Sequence, residues 1–251
     1  MSESTPIRWN DISWSYINLD SRPDRRDYIE RELAYAGITA RRTTAASPEE
    51  MLLAGITKKG SPQETACWLS HIHSWSEYAK GKPVLGVFED DAVLCEDFRD
   101  RIEYITCHFH KPWDIFFLGA CYHIDRPVWH ADLDYDYETT DVKYIHRTYG
   151  AFSNHGYLVN DTSCRDLMDR LDDRMEKDQS LDIALIHIQP EILCYAFTPG
   201  MVRQAAVGPS DIAPNGKRCW DSLSTDLGPH IFSNTLEAFD YDSFFPERTS
   251  P

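Results

Sequence analysis

Residues 13–45 read SWSYINLDSRPDRRDYIERELAYAGITARRTTA, and this stretch decides the fold class. Ser13 to Leu19 is rich in aromatic and β-branched residues up to polar Asp20, the pattern of a strand. Pro23 then opens a segment in which Tyr28, Ile29, Leu33 and Ala36 recur at helical spacing, and Gly37 supplies a stop. Ile38 to Ala45 is a second short β-type run. Strand, helix, strand predicts an α/β sheet rather than a helical bundle or a β-sandwich.

The alternation continues downstream. Ser61-Pro62-Gln63-Glu64 is a capping box with proline at the first helical position. The helix it opens carries Trp68, Leu69, Ile72, Trp75 and Ala79 on one stripe and stops near Gly81. Val84-Leu85-Gly86-Val87-Phe88 is too short for a helix and is bracketed by breakers, which predicts a buried central strand. A helix over about 96–109, a strand at 114–119, an extended 150–160, a helix over 161–174 and a last strand at 192–197 follow. Residues 122–146 predict a long loop or an edge hairpin. From about Ala205 the chain is rich in Pro, Gly, Ser and Asp, so 1–251 reads as one domain with a core of about 13–204 and a wrapping or frayed tail.

Composition narrows the function classes. Of 251 residues, 25 are Lys or Arg and 41 are Asp or Glu, a formal net charge of −16. Such a balance disfavours sequence-independent nucleic-acid binding and polybasic attachment to anionic lipid. It leaves room for a local basic pocket around a small phosphate-bearing ligand. The first residues show no basic-then-apolar leader, and no run of 18 apolar residues occurs, which predicts a cytoplasmic chain without a transmembrane helix. Seven scattered cysteines with no C-x-x-C predict free thiols rather than a zinc ribbon or a redox motif. Asn160-Asp161-Thr162 matches a glycosylation acceptor by chance.

The sharpest chemical feature is Glu89-Asp90-Asp91 at the end of the buried strand. Alternation along an extended segment points Glu89 and Asp91 one way and Asp90 the other. Carboxylates at the carboxyl end of a central strand sit where open α/β sheets bind ligands. Three adjacent acids are costly to desolvate without a cation, and Mg²⁺ or Mn²⁺ suits them. A solvated turn is the bland alternative. The same acid-x-acid spacing at Asp132-Leu133-Asp134-Tyr135-Asp136 and Asp240-Tyr241-Asp242 follows no buried strand and reads as solvated surface. The first of these also fails as a calcium loop, with Tyr137 where Gly is needed and Lys143 where the closing Glu belongs.

The exit of the first strand, Asn18-Leu19-Asp20-Ser21-Arg22-Pro23-Asp24-Arg25, leads into a helix N-terminus and offers Arg22 and Arg25 to an anion. Those arginines can equally pair with Asp24, Asp27 and Glu30 on the helix surface. No G-x-G-x-x-G, G-x-x-x-x-G-K-[ST] or G-x-S-x-G occurs, which removes dinucleotide-fingerprint, P-loop and nucleophile-elbow readings. His71-x-His73 and His108-x-His110 diverge by roughly 200° on a helix, so neither pair shares an ion. Ser70 beside His71 offers a hydrogen-bonding pair next to the acids, although a core or surface histidine is the bland alternative.

Taken in order, YINLDSRPDRRDYIERELAYAGI (16–38), TACWLSHIHSW (65–75), VLGVFEDDA (84–92) and DIFFLG (114–119) resemble the signatures of glycosyltransferase family 25. That family includes bacterial lipopolysaccharide and lipooligosaccharide galactosyl- and glucosyltransferases and collagen galactosyltransferase domains. TYGAFSNHGYLVN (148–160), Leu181-Asp182, Val202-Arg203-Gln204 and Ser210-Asp211-Ile212 are similar to its later segments, so the likeness spans roughly 14–212. Gly86 in the strand, Asp161-Thr162-Ser163-Cys164 at a helix start, and the acidic 122–146 segment depart from the family pattern.

The resemblance implies a GT-A-like, Rossmann-type nucleotide-sugar-binding domain with a mixed central sheet. It implies inverting, metal-dependent transfer of a hexose, galactose or glucose, from a UDP-sugar to a hydroxyl of a glycan, glycolipid or protein. Asn18, Asp20, Arg22 and Arg25 match the donor-side motif, Ser70 and His71 the Ser-His pair, and Glu89-Asp90-Asp91 the DxD-like motif. Mn²⁺ or Mg²⁺ would sit on Glu89 and Asp91 with Asp90 beside them, and Asp182 would be the general base. Asp182 can also be read as the N-cap of the helix that follows. A non-catalytic nucleotide- or glycan-binding relative, and a sugar transferase acting on modified nucleic acid, are the rival readings.

Overall fold

Trp14 and Gly86 face each other across two neighbouring parallel strands, and the sheet is built outward from that pair. The computed structural model describes residues 5–56, 59–78, 82–119, 137–151, 154–197 and 200–205. In chain order the elements are β1 (Ile12–Asn18), α1 (Pro23–Tyr35), β2 (Arg41–Thr44), α2 (Pro48–Leu53), α3 (Pro62–Tyr78) and β3 (Val84–Glu89). There follow β4 (Ala92–Leu94), α4 (Phe98–His108), β5 (Ile115–Phe117), β6 (Tyr137–Thr139), β7 (Ile145–Thr148) and β8 (Gly156–Asn160). The last are α5 (Asp161–Met175), α6 (Leu181–Ile188), β9 (Cys194–Phe197) and β10 (Val202–Gln204).

Eight strands form one sheet in the order β2-β1-β3-β8-β5-β9-β7-β6. β1 runs parallel to β2 and β3, and β5 parallel to β9, whereas β8 is antiparallel to both β3 and β5. The fold is therefore α/β with a mixed central sheet. Its two faces carry separate cores. Trp14, Val84, Phe88 and Phe116 pack with Ile29 and Leu33 of α1 and Ile102 and Ile105 of α4. Leu85, Val87, Phe117 and Val159 pack with Trp68 and Trp75 of α3, Leu167 of α5 and Leu185 of α6. Helices on both faces explain why β3 is buried and free of charge from Val84 to Phe88 rather than alternating.

Gly86, a departure from an aliphatic strand, has a packing reason. The Trp14 ring lies over it and stacks on Phe88 at 5.2 Å, and a Cβ at residue 86 would come within 2.2 Å of Trp14 Cε3. At the end of α1, Gly37 takes φ +68°, a left-handed conformation that L side chains rarely adopt.

Three short elements go beyond the sequence reading. Ser47 and Glu50 make a reciprocal capping box that starts α2, and Ser47-Pro48-Glu49-Glu50 carries the same signal as Ser61–Glu64. The strand over 192–197 is not the last: β10 follows and pairs antiparallel with β4, Gln204 opposite Ala92. Each of those strands has three residues, too few to show a period. β6 and β7 make the expected edge hairpin, while the rest of the 122–146 segment and the tail from 206 lie outside the described residues. Asn160 caps α5 through Thr162 N and is buried against Trp113 O, so its side chain is structural. Cys67, Cys95, Cys107, Cys164 and Cys194 are free thiols; Cys121 and Cys219 lie outside the described residues. Among the described residues, no helix is long and apolar enough to cross a membrane.

Candidate functional site at the carboxyl ends of β1 and β3

The helix that follows β1 covers one face of the sheet and the helix that precedes β3 covers the other. Neighbouring parallel strands with connections on opposite faces leave a crevice at their carboxyl ends. Asn18 ends β1 there. Its buried amide donates to Asp90 Oδ2 (2.8 Å) and to Arg22 O (3.0 Å), and its Oδ1 accepts from Arg42 Nε (3.0 Å).

Arg25, in the first turn of α1, turns inward instead of outward. Its Nη1 lies 3.0 Å from Asp90 Oδ1 and 3.0 Å from Asp91 Oδ2. Asp91 Oδ2 also accepts from Gln204 Nε2 (3.1 Å), a contact that β10 supplies. Asp91 Oδ1 is buried, and among the described residues no donor meets it. Strand alternation fails at this point. β3 ends at Glu89, and Asp90 and Asp91 form a turn, so the two aspartates converge on Arg25 while Glu89 points to α3. The alternation rule holds only while the backbone stays extended.

Glu89 Oε1 lies 3.3 Å from His71 Nε2. His71 is fully buried, and its Nδ1 is 2.7 Å from Tyr157 Oη, which in turn accepts from Trp75 Nε1 at 2.9 Å. Burial pushes the His71 pKa down to about 4, with the Asp182 charge opposing, so the ring is neutral near pH 7. Burial also pushes Glu89 up to about 7, helped by Asp90 and opposed by Arg25. Asp91 is raised to about 7 by burial and then by the Glu89 charge, with Arg25 again opposing. One guanidinium bonding two of three adjacent acids is the signature of a site short of positive charge.

Asn18, Arg25, Cys67, His71, Glu89 and Asp91 line a pocket of about 120 Å³. Leu19, Ala45, Ala46 and Ser70 are shared with a larger cleft of about 570 Å³ between the β1–α1 turn and the β2–α2 segment. Asp20 lines that cleft and pairs with Arg42 at 2.5 Å. Arg22 makes a two-point pair with exposed Asp24. Arg22 thus pairs with a carboxylate in the first turn of α1, Asp24, whereas Arg25 serves the acids.

Ser70 does not bond His71. Its hydroxyl donates to Ala66 O (2.6 Å) and accepts from Ala46 N (2.9 Å), because adjacent helical residues point about 100° apart. It anchors the β2–α2 segment to α3. Exposed His73 turns away to Glu77. Ser180, not Asp182, caps α6, its hydroxyl accepting from Ile183 N. Asp182 occupies the second helical position, half-buried, and lines neither cavity; its charge acts on His71 and Cys67.

The sequence reading passed over Cys67. Cys67, His71 and Glu89 bring one sulfur, one ring nitrogen and one carboxylate oxygen within 4.8 Å of one another. The signal was the four-residue spacing of Cys67 and His71 on an amphipathic helix, which puts both on one face. A mixed donor set of one sulfur, one nitrogen and one oxygen therefore meets at Glu89, while Asp91 turns to Arg25 and Gln204.

The profile of glycosyltransferase family 25 (LPS biosynthesis protein) matches residues 15–181. The chain belongs to glycosyltransferase family 25. Membership places it among transferases. The matched span of this family-25 chain runs from β1 into the first turn of α6, and so includes Arg25, His71 and the acidic turn. It stops short of β10 and Gln204. A comparison with curated proteins returned no match. Among solved structures, the inositol-1-phosphate CTP transferase from T. maritima is 11% identical with a TM-score of 0.42, over 85% of this chain and 75% of that one. Residues 1–349 of S. aureus TarS give 10% identity and a TM-score of 0.38, over 78% of this chain and 60% of that one.

Proposed function

We propose that this chain is a metal-dependent, inverting hexosyltransferase that moves galactose or glucose from a UDP-sugar to a hydroxyl of a glycan, glycolipid or protein. Family membership supplies the reaction class. The observation that carries the rest is Asp91: a buried carboxylate with one oxygen unpartnered, beside Glu89 and at the edge of a continuous cleft. An orphaned buried carboxylate oxygen fits a cation, and a second carboxylate within the same pocket completes a hard-oxygen pair suited to Mn²⁺ or Mg²⁺.

In a GT-A-like arrangement the nucleoside occupies the larger cleft, past Asp20 and Ser21, and the diphosphate reaches toward Glu89 and Asp91. A divalent ion there would offset the charge that develops on the leaving diphosphate. Arg25 and Asn18 hold Asp90 and Asp91 in place from below. Arg22 is the guanidinium that would exchange Asp24 for a diphosphate, since the Asp24 partner is itself exposed to water. Neutral His71 orients Glu89, and Ser70 fixes the cleft wall. Asp182 is assigned the role of general base on the family likeness, since it lines neither cavity.

The test is thermal shift with UDP-, GDP- and CMP-sugars, with and without Mn²⁺, on the parent chain and Asp91→Asn. A UDP-hexose should stabilise the parent when Mn²⁺ is present, and Asp91→Asn should lose that gain. If no nucleotide sugar shifts the melting temperature under any condition, the donor site is not here. Binding without any UDP-hexose hydrolysis or transfer favours a non-catalytic relative.

A further inference from the structure

Cys67 has no part in the proposed chemistry, yet it lines the same pocket as the acids. One turn of α3 separates it from His71, and the end of β3 delivers Glu89 onto that helix face. The three ligand atoms lie within 4.8 Å of one another. On a tetrahedral ion with ordinary zinc bond lengths, a nitrogen and an oxygen ligand sit about 3.4 Å apart, and a sulfur and a nitrogen about 3.6 Å apart. His71 Nε2 and Glu89 Oε1 already stand at 3.3 Å. With every ligand atom within 4.8 Å of the others, closing the third corner requires a shift of Cys67 Sγ of no more than about 1.5 Å.

The surroundings of His71 match a ligand histidine. Its other nitrogen is held by Tyr157 Oη at 2.7 Å, and the phenol is itself fixed by Trp75 Nε1. In the tautomer that carries its proton on Nδ1, His71 gives that N–H to Tyr157 Oη and leaves Nε2 to face a metal in one orientation. Three protein ligands with the fourth position facing a pocket are the arrangement of an open zinc site.

We propose that Cys67, His71 and Glu89 form a site for a thiophilic divalent cation, Zn²⁺ above all, distinct from the oxygen pair of Glu89 and Asp91. Binding replaces the Cys67 thiol proton, which leaves to solvent, with a sulfur–metal bond. Thiolate and imidazole select Zn²⁺ over Mg²⁺ and Mn²⁺, whereas carboxylates alone do not. Because Glu89 belongs to both sets, the two cations exclude each other, and Zn²⁺ acts as an inhibitor of the Mn²⁺-dependent state. The competition rests on the oxygen site proposed above; the zinc site itself does not.

The test uses the reduced full chain and Co²⁺ as a visible probe. A sulfur-to-cobalt charge-transfer band with strong four-coordinate ligand-field bands should appear and be displaced by one equivalent of Zn²⁺. Cys67→Ser and Cys67→Ala should both lose the charge-transfer band while retaining the parent's far-ultraviolet circular dichroism. Asp91→Asn should keep the band, and Tyr157→Phe should weaken Co²⁺ about 10- to 100-fold. In the parent, Zn²⁺ should cancel the Mn²⁺-dependent stabilisation by UDP-hexose, and Cys67→Ser should need at least about tenfold more Zn²⁺ for the same effect. No sulfur band, or a band that survives both Cys67 variants, overturns the zinc site and leaves the transferase reading intact. A sulfur band in a chain that binds no nucleotide sugar upholds the zinc site and removes the donor reading instead.

Discussion

Replacing Arg25 with Met tests whether one guanidinium holds the acidic turn together. Arg25, Asp90 and Asp91 keep only 9%, 11% and 6% of their side-chain surface, and both ion pairs are 3.0 Å long. Methionine fills much of the same space but leaves two carboxylates in a dry site without their cation. Breaking a buried pair from one side costs about 3–5 kcal/mol. For a chain of this size that is a fall of about 6–20 °C in melting temperature. The loss should be greatest at pH 8. Asp91 is already raised to about 7 by burial and by Glu89, and removing Arg25 raises it further. A folded-state pKa above the unfolded one favours folding at low pH and is lost as pH rises through it, so the variant should recover at pH 5.5. The assay is thermal unfolding of parent and variant at both pH values, with Arg26→Met as the control. Arg26 pairs with Glu30 one turn along α1, both side chains being nearly half exposed, and its loss should stay within the error of the measurement. An Arg25→Met chain that melts within about 2 °C of the parent at pH 8, or that loses as much at pH 5.5, refutes the proposed role of Arg25.

Two further perturbations follow from the packing. Gly86→Ala puts a Cβ within 2.2 Å of a Trp14 ring that is itself stacked on Phe88, so the ring cannot move aside cheaply. Chemical denaturation should show a loss of about 1–3 kcal/mol, smaller in a Trp14→Leu background; equal losses in both backgrounds would exclude the ring as the cause. His155 is held down to about 4 by burial, with its Nε2 donating to Val202 O. A depressed histidine contributes stability above its unfolded pKa of 6.5 that disappears as pH falls toward 4, about 3 kcal/mol in all. His155→Gln keeps an amide donor but cannot titrate, so the parent-minus-variant stability should fall between pH 6.5 and 4; a flat difference contradicts the buried neutral ring.

Much of the architecture was legible along the chain because its signals are local. A proline-led capping box, a glycine stop and an apolar run between breakers each act within a few residues, and α1, α3, β3 and α5 follow from them. What stayed hidden was either too short for a period, as in β4 and β10, or an overlooked repeat of a signal already noted, as in Ser47–Glu50. In the site, the residue types were legible and their pairings were not. The acidic turn, His71 and Arg25 stood out, but strand alternation assigned the wrong partners, and Ser70 was joined to a neighbour that a helix holds apart.

The sequence by itself determined an α/β chain with three acids at the mouth of a buried strand, together with the family likeness that the profile match upholds. The tertiary structure alone decided which acid meets which partner. Arg25 and Asp90 are 65 positions apart, Gln204 and Asp91 are 113 apart, and His71 and Tyr157 are 86 apart. Those contacts arise from the β1–β3 register, the β4–β10 pair and the turn after Glu89. Periodicity fixes the face on which a side chain lies, but only the packing of whole elements fixes what that face meets. For that reason an unremarked cysteine joined the site, and a conspicuous arginine proved to be holding it from within.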